Sequence, residues 1–177
     1  MCPIQKLQGV QHAQHGTALV MTLVILLLLT MLGITAINTS TLEERMAGNT
    51  KDQNLSFQAA ETALRAAETW VASTTTAAAL NTNNAIGIYA PSTTGTDVWD
   101  SIDWLGANVM TYPNTPTATG TGGLSDVDTQ PKYIIEKVNT EALSPGTRIT
   151  VRITARGTGA SDTTVSMVQS TYTVTYP

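Results

Sequence analysis

The chain has almost none of the side chains from which common catalytic and metal sites are built. Its single cysteine is Cys2 and its two histidines are His12 and His15, so all three lie in the first 16 residues. Beyond them the sequence offers no thiol nucleophile, no histidine base, no common zinc site and no disulfide. We therefore predict no catalytic residue, no metal and no cofactor, and an enzyme is the least favoured class.

Charged residues are scarce as well. They make up 12% of the chain, and the formal net charge is −4. No basic cluster is present that would neutralise a phosphate backbone, so we predict no nucleic-acid partner. A surface rich in Thr, Ala, Ser and Asn fits an extracytoplasmic protein better.

The longest uncharged stretch follows a short polar leader. It runs from Thr17 to Ile37, and the first charge after it is Glu43. As a helix this stretch would measure roughly 31 Å, the thickness of a bilayer's hydrocarbon core. We predict one membrane-spanning helix, with Lys6 and the leader in the cytoplasm and the bulk of the chain outside.

Three interpretations of this N-terminal region compete. The first is an uncleaved signal anchor, and the second is a secretory signal that is cleaved near Ala36. The third is a leader that is cut on the cytoplasmic side, between Gly16 and Thr17, which leaves the span attached. A glycine directly before a long apolar helix is what the third interpretation requires.

The helical pattern continues beyond the span to Ser73. Apolar residues at three- and four-residue spacing form one stripe of this amphipathic part: Phe57, Ala60, Ala63, Leu64, Ala67, Trp70 and Val71. We expect Leu64, Ala67, Trp70 and Val71 to pack against a sheet. Gly48-Asn49 is a weak point, where we weigh a kink or local melting against a loop between two helices.

Residues 74–131 have little periodicity and many turn signals. We expect a loop region with one short helix near Trp99, capped by Asp97, and with Trp99 and Trp104 packed against the domain. Calcium binding around Asp126 and Asp128 is conceivable, but solvated turn carboxylates are the favoured interpretation because no complete calcium-binding loop is present.

The last part of the chain changes to strand periodicity. Three strands are predicted, at 131–138, 147–157 and 163–176, with Arg148, Arg152 and Arg156 on the exposed face of the second. The third changes the parity of its apolar residues between Met167 and Val168, which predicts a bulge. The fold class is α+β: a long N-terminal helix packed on a C-terminal antiparallel sheet that buries one face.

These features together resemble a type IV pilin, and most closely the PilX-type minor pilins. The resemblance rests on GTALVMTLVILLLLTMLGITAIN and TLEERMAGNTKDQNLSFQAAETALRAAE, which cover residues 16–68, and on the shorter RITARGTG and TVSMVQSTY near the end. It divides the chain into a cleaved leader, a transmembrane part, an amphipathic periplasmic part, a variable loop region and a sheet: 1–16, 17–37, 38–73, 74–131 and 132–177.

The resemblance implies a maturation and a location. A prepilin peptidase would cut between Gly16 and Thr17, and the new amine of Thr17 would be N-methylated. The subunit would sit in the bacterial inner membrane with its head in the periplasm. It would then enter an extracellular pilus together with other minor and major pilins, through the inner-membrane assembly machinery.

The sequence departs from the pilin pattern at two positions. Most pilins begin with Phe, where this chain has Thr17, and carry Glu at the fifth mature position, where this chain has Met21. The resemblance assigns that carboxylate to pairing with the amine of the subunit added before. Its loss predicts a place at or near the fibre tip, where the subunit primes assembly. A pilus-displayed adhesion or aggregation module and a type II secretion minor pseudopilin are the alternatives.

Overall fold

A computed structural model describes residues 15–80, 87–92, 95–116 and 119–177. The chain divides into two compact units, residues 1–47 and 48–177. The predicted leader therefore lies outside the described residues, apart from His15 and Gly16.

One helix, α1 (His15–Ser73), supplies the first unit and begins the second. It is long and apolar enough over its N-terminal part to cross a membrane. The backbone stays helical through Gly48 and Asn49. The loop between two helices that the sequence allowed at this place is therefore absent.

The second unit is built on a five-stranded sheet. Three long strands form its body: β3 (Lys132–Ala142), β4 (Thr147–Thr158) and β5 (Val165–Tyr176). Two short strands, β1 (Ile88–Tyr89) and β2 (Met110–Thr111), both pair with β3. The order is β1-β3-β4-β5, so β5 is an edge.

The three long strands are antiparallel to their neighbours, as predicted, while the two-residue β1 is parallel to β3. The sheet is therefore mixed, and the α+β pilin-like fold class is confirmed. The irregularity lies between Lys137 and Asn139 of β3 rather than in β5. The bulge predicted at Met167 and Val168 is wrong, because Met167 is an apolar residue on the exposed face of an unbroken strand.

The main core lies between the C-terminal part of α1 and one face of the sheet. The helix contributes a buried stripe that includes Ala63, Leu64, Ala67, Trp70 and Val71, and the sheet contributes a row of apolar side chains: Tyr133, Ile135, Ile149, Val151, Ile153 and Ala155. Alanines on the stripe have no bulk beyond Cβ, so the helix can lie close to the strands. Phe57, which the sequence placed on this stripe, is 48% exposed, and Ser56 is buried instead.

A second, smaller layer covers the other face of β3. It is formed by the segment between β1 and β2, which includes α2 (Val98–Ser101). Its side chains form a separate cluster with Ile134: Tyr89, Val98, Trp99, Ile102, Trp104 and Val109. The expectation of one buried face therefore fails at β3, where both faces are covered. The packing of Trp99 and Trp104 against the domain is as expected.

Candidate functional site

The N-terminal part of α1 presents the residues that the sequence singled out for processing. Gly16, Thr17 and Met21 are all helical and exposed, and the side chain of Met21 is 69% accessible. Thr17 and Met21 are four residues apart, so they lie on the same face of the helix, one turn from each other.

The hydroxyl groups in this apolar segment are satisfied inside the helix. Thr22 donates to the carbonyl of Leu19 at 2.8 Å, and Thr30 and Thr35 donate in the same way at 2.8 and 2.9 Å. A hydroxyl that bonds to its own backbone does not need water, so its burial in an apolar medium costs less. The segment from Thr17 to Ile37 carries no charged side chain. These features fit a hydrocarbon environment.

In the second unit, all four residues that the sequence assigned to packing on the sheet are buried. Ala67 and Val71 have no accessible surface, and Leu64 and Trp70 have 7% each. They belong to the same cluster as the inner residues of β3 and β4.

The helix lies very close to the sheet at Gly157 of β4. A Cβ added there would overlap the carbonyl of Ser56 and the amide of Ala60. Beside this point the hydroxyls of Ser56 and Ser166 are 2.6 Å apart and hydrogen-bonded. Two backbones can meet this closely only because position 157 has no side chain.

One turn before this contact, Asp52 holds the connection between β4 and β5. Its carboxylate accepts a hydrogen bond from the amide of Ala160 at 2.6 Å. A hydrogen bond from the Thr164 side chain lowers the pKa of Asp52, and hydrogen bonds from the amides of Ala160 and Ser161 lower it further. Partial desolvation raises the pKa, but the hydrogen bonds outweigh it. The carboxylate thus joins α1 to a turn 108 residues away in sequence.

We expect Asp52→Asn to lower the thermal midpoint of unfolding at about pH 7, because a neutral amide makes weaker hydrogen bonds than a carboxylate. The native contribution is complete above the ordinary pKa of 3.8 and is lost as the pH falls through the lowered value of the folded state. The difference between the variant and the native chain should therefore shrink towards pH 2. Thermal melts of the detergent-solubilised chain over this range measure it.

Asp162→Asn is the matched control for Asp52→Asn. Asp162 lies in the same turn and is exposed, so its substitution makes the same change in net charge without removing the contact to α1. If both variants changed the midpoint equally at every pH, the effect of Asp52 would be one of net charge alone.

On the other face of the sheet, Arg152 of β4 joins two carboxylates. Its guanidinium lies 2.7 Å from Glu136 of β3 and 2.7 Å from Asp97, which precedes α2. Glu136 is buried, with 4% of its side chain accessible. The hydrogen bond from Arg152 lowers the pKa of Asp97, and a bond from the Trp99 indole N–H adds to this. We call these three charged residues the outer latch.

The outer latch corrects the role predicted for Asp97. Asp97 stands at the N-cap of α2, but its side chain makes no capping hydrogen bond. The carboxylate binds Arg152 and the Trp99 indole instead, and Arg152 is the stronger donor because its guanidinium is charged whereas the backbone amides are neutral. Asp97 therefore fastens the segment to the sheet.

Two further contacts hold the same segment. Lys132 of β3 donates to the carbonyl of Trp104 at 2.8 Å, and the Tyr89 hydroxyl donates to the carbonyl of Asn108 at 2.6 Å. Burial raises the pKa of Tyr89, so its phenol keeps the proton that it donates. The part of this segment around Trp104 and Asn108 is thus held by a lysine of β3 and a tyrosine of β1.

Two of the three arginines of β4 form ion pairs. Arg152 belongs to the outer latch, and Arg148 pairs with the exposed Glu141 at 3.1 Å. Within the described ranges no group of three or more His, Cys, Asp or Glu side chains could hold a metal ion, and Asp126 and Asp128 are both exposed residues in bends of the chain.

Sequence reasoning missed Asp52, Ser56, Glu136 and Gly157. One of them had a signal, since a glycine within a strand often marks the close approach of another backbone. The consecutive apolar pair Ile134-Ile135 indicated that both faces of β3 are covered, because a strand that is covered on only one face alternates apolar and polar residues. Nothing in the local sequence shows that Asp52 and Ala160 meet.

Two family models match the chain. A model of the PilX N-terminal segment matches residues 15–65, and a model of the C-terminal part of the type IV pilus assembly protein PilX matches residues 47–174. Together they cover α1 and all of the sheet except the last two residues of β5. No curated protein and no solved structure matches the chain.

Proposed function

The chain belongs to the PilX family of type IV pilus assembly proteins, and from this premise we propose that it is a minor pilin that primes assembly at or near the tip of the fibre. In this role it is inserted in the inner membrane by the apolar part of α1, with its head in the periplasm. It then moves into the growing pilus beside other pilins.

The observation that carries the proposal is the surface of α1 between Thr17 and Ile37. It is apolar on all sides and exposed, and Thr22, Thr30 and Thr35 bond to their own backbone. Such a helix is equally suited to lipid and to a bundle of other apolar helices. Transfer from one to the other therefore has a small net free energy, as a subunit that leaves the membrane for a fibre requires.

The proposed maturation is a cut between Gly16 and Thr17, followed by methylation of the new amine. The intact mass and N-terminal residue of the protein extracted from membranes test it. A start at Thr17 with one added methyl group supports the proposal. A start near Asn38 would mean that the apolar segment had been removed, and a fibre subunit would then be ruled out.

The proposed place at the tip rests on Met21. An amine at Thr17 that is buried among apolar helices is costly unless a carboxylate pairs with it. A thioether at position 21 cannot neutralise the amine of a subunit already in the fibre. The amine of this subunit can still be paired by a carboxylate on the next one added. The chain is therefore suited to enter first, with other subunits below it.

Met21→Glu should release the subunit from the tip. A carboxylate at this position replaces the thioether with a group that can pair with the amine of a preceding subunit. We expect immunogold label to move from the ends of the fibres to positions along the shaft. Label counted by distance from the fibre end, in the native and variant strains, measures the change.

Leu19→Glu is the control for Met21→Glu. It adds the same charge two residues earlier, on a different face of the helix, and Leu19 is equally exposed. We expect this variant to be incorporated poorly, because its carboxylate lies away from the amine. Native protein found evenly along the shaft would contradict the proposed tip position directly.

A further inference from the structure

The two long edges of the sheet differ in how well they are protected against other strands. Beyond Glu136, the free side of β3 has no partner strand in the described part of the sheet. This stretch contains the register irregularity between Lys137 and Asn139 and the charged side chains of Lys137 and Glu141. Irregularity and charge are two of the features that keep another strand from pairing with an edge. The free edge of β3 is therefore protected.

The opposite edge of the sheet, β5, has neither of these features. It extends over Val165–Tyr176, or roughly 40 Å, and pairs only with β4. Its 12 residues include no proline and no charged side chain, and its register with β4 is continuous. Among the described residues no other segment pairs with its free side. Such an edge can accept a further strand through its unpaired N–H and C=O groups.

The side-chain rows of β5 indicate what kind of strand fits beside it. On the core face, Val168, Tyr172 and Val174 are only partly buried, although the neighbouring row of β4 is fully buried. Apolar side chains on an added strand would cover the surface of this row that stays accessible. On the outer face, Thr171 and Thr173 are polar and exposed. The fitting strand is therefore one in which apolar and polar residues alternate.

A second copy of this chain does not supply that strand well. Antiparallel pairing of two β5 edges reverses the part of α1 that packs on the sheet, so two chains held in one membrane by α1 cannot form it. This exclusion rests on the membrane insertion proposed above. Parallel pairing of two β5 edges turns one sheet over, and the apolar row of one copy then meets the polar row of the other. Pairing of β5 with β3 of another copy meets the irregularity and the charges of that edge.

We propose that the edge of β5 binds an extended segment of a different protein as one more strand of the sheet. The segment belongs to a tail or a loop, so no membrane anchor fixes its direction along β5. It has about six residues or more, the length of a common strand, with uncharged apolar side chains at alternate positions. Main-chain hydrogen bonds to β5 supply the affinity, and contacts with Val168, Tyr172 and Val174 supply the preference for apolar side chains.

A synthetic peptide tests whether this edge accepts a strand. The probe is a neutral peptide of about eight residues in which valine and threonine alternate, and it is added to the full chain in detergent micelles. Hydrogen exchange should become at least about tenfold slower for the free amides of β5 and stay unchanged over residues 137–142 of β3. Equal slowing at both edges, or no slowing at β5, would overturn the proposal. Because the test uses no bilayer and no fibre, its outcome is independent of the proposed place at the tip.

Two control peptides separate strand pairing from general adhesion. In the first, two consecutive central amides are N-methylated, which removes one donor from each edge of the peptide, and this peptide should not slow exchange. In the second, serine replaces each valine, and we expect at least about tenfold weaker binding because the core-face row of β5 stays uncovered. Val174→Thr should weaken the binding of the valine peptide too, since it adds a hydroxyl to that row. Equal binding of the methylated peptide and the probe would contradict pairing through the backbone.

Crosslinking in membranes from piliated cells tests the natural occupant of the edge. Because Cys2 is the only native cysteine, Thr173→Cys in a Cys2→Ser background carries the single thiol of the chain, which is labelled with a thiol-reactive photocrosslinker. Mass spectrometry should locate the crosslink in a segment of a different protein in which apolar residues alternate. Thr140→Cys, exposed at the protected edge of β3, is the matched control and should not give this product. A crosslink to a second copy of the chain, or to a segment with charges at the apolar positions, would overturn the proposal.

Discussion

Gly157→Ala is expected to lower the free energy of unfolding of the second unit by about 1–3 kcal/mol, the range found when an extra group is forced into a packed core. A methyl group at this position overlaps the backbone of α1 at Ser56 and Ala60. Neither β4 nor the helix yields easily here, because β4 is paired with β5 at Gly157 and with β3 up to Arg156, and the helix is held by Leu64 and Trp70. The helix must therefore move away from the sheet and expose part of the core.

Tryptophan fluorescence of the detergent-solubilised chain during urea unfolding measures the loss, since all three tryptophans lie in the second unit. Gly48→Ala is the matched control. A Cβ at Gly48 meets nothing within 4 Å, and alanine favours a helix interior by about 1 kcal/mol relative to glycine. We expect this variant to be as stable as the native chain or more so. Equal midpoints for Gly157→Ala and the native chain would mean that the helix does not contact β4 at this point.

Arg152→Met is expected to destabilise the same unit by about 3 kcal/mol, because it leaves the carboxylate of Glu136 buried without a cation. Glu136 has 4% of its side chain accessible, so water cannot replace the lost guanidinium. Asp97 loses its partner too, and the segment that carries α2 should detach from β3. Trp99 and Trp104 should then become accessible to a fluorescence quencher while Trp70 stays buried.

The control for Arg152→Met is Arg148→Met on the same strand. Arg148 pairs with Glu141, and both side chains are about half exposed, so the change should cost less than about 1 kcal/mol. Adding Glu136→Gln to Arg152→Met should recover part of the lost stability, since it removes the unpaired charge. An equal loss for Arg148→Met and Arg152→Met would contradict the assigned burial of Glu136.

The outer latch also has a pH dependence with a definite sign. Arg152 holds the pKa of Asp97 below its ordinary value of 3.8. The contribution of Asp97 to stability is thus complete above that value and is lost as the pH falls through the lowered pKa. In Arg152→Met this acid-sensitive contribution should disappear. The free energies of unfolding of the variant and the native chain should therefore differ least in the most acid solutions.

Much of the fold follows from periodic patterns that the sequence displays openly. Uninterrupted apolar residues predict the first part of α1, spacing of three and four predicts the buried stripe, and alternation predicts the strands. The patterns also predicted that Leu64 and Trp70 would anchor the helix, and both side chains are buried in the core. Such patterns show which side of a helix or strand is buried, and this can be read from residues that are close in sequence.

The wrong predictions concern residues whose environment is set by contacts between elements that are distant in sequence. Met167 is apolar, yet it lies exposed on a regular strand. The assumption that every apolar residue of a strand faces the core therefore predicted a bulge that is not there. Phe57 fits the helical spacing, but the close approach of Gly157 turns Ser56 towards the sheet. The side chain of Asp97 leaves its expected capping role because Arg152, 55 residues away, is a stronger donor.

The sequence by itself determined an apolar helix able to cross a membrane, its continuation as an amphipathic helix, the three long strands and the family to which the chain belongs. Only the tertiary structure showed that Asp52 accepts a hydrogen bond from a turn 108 residues away and that Gly157 allows the helix to lie close to the sheet. It also showed that the buried Glu136 shares Arg152 with Asp97 of the segment that carries α2. The physical reason is range: periodicity is written in neighbouring residues, whereas a hydrogen bond or a close backbone contact exists only once the fold has brought its two partners together.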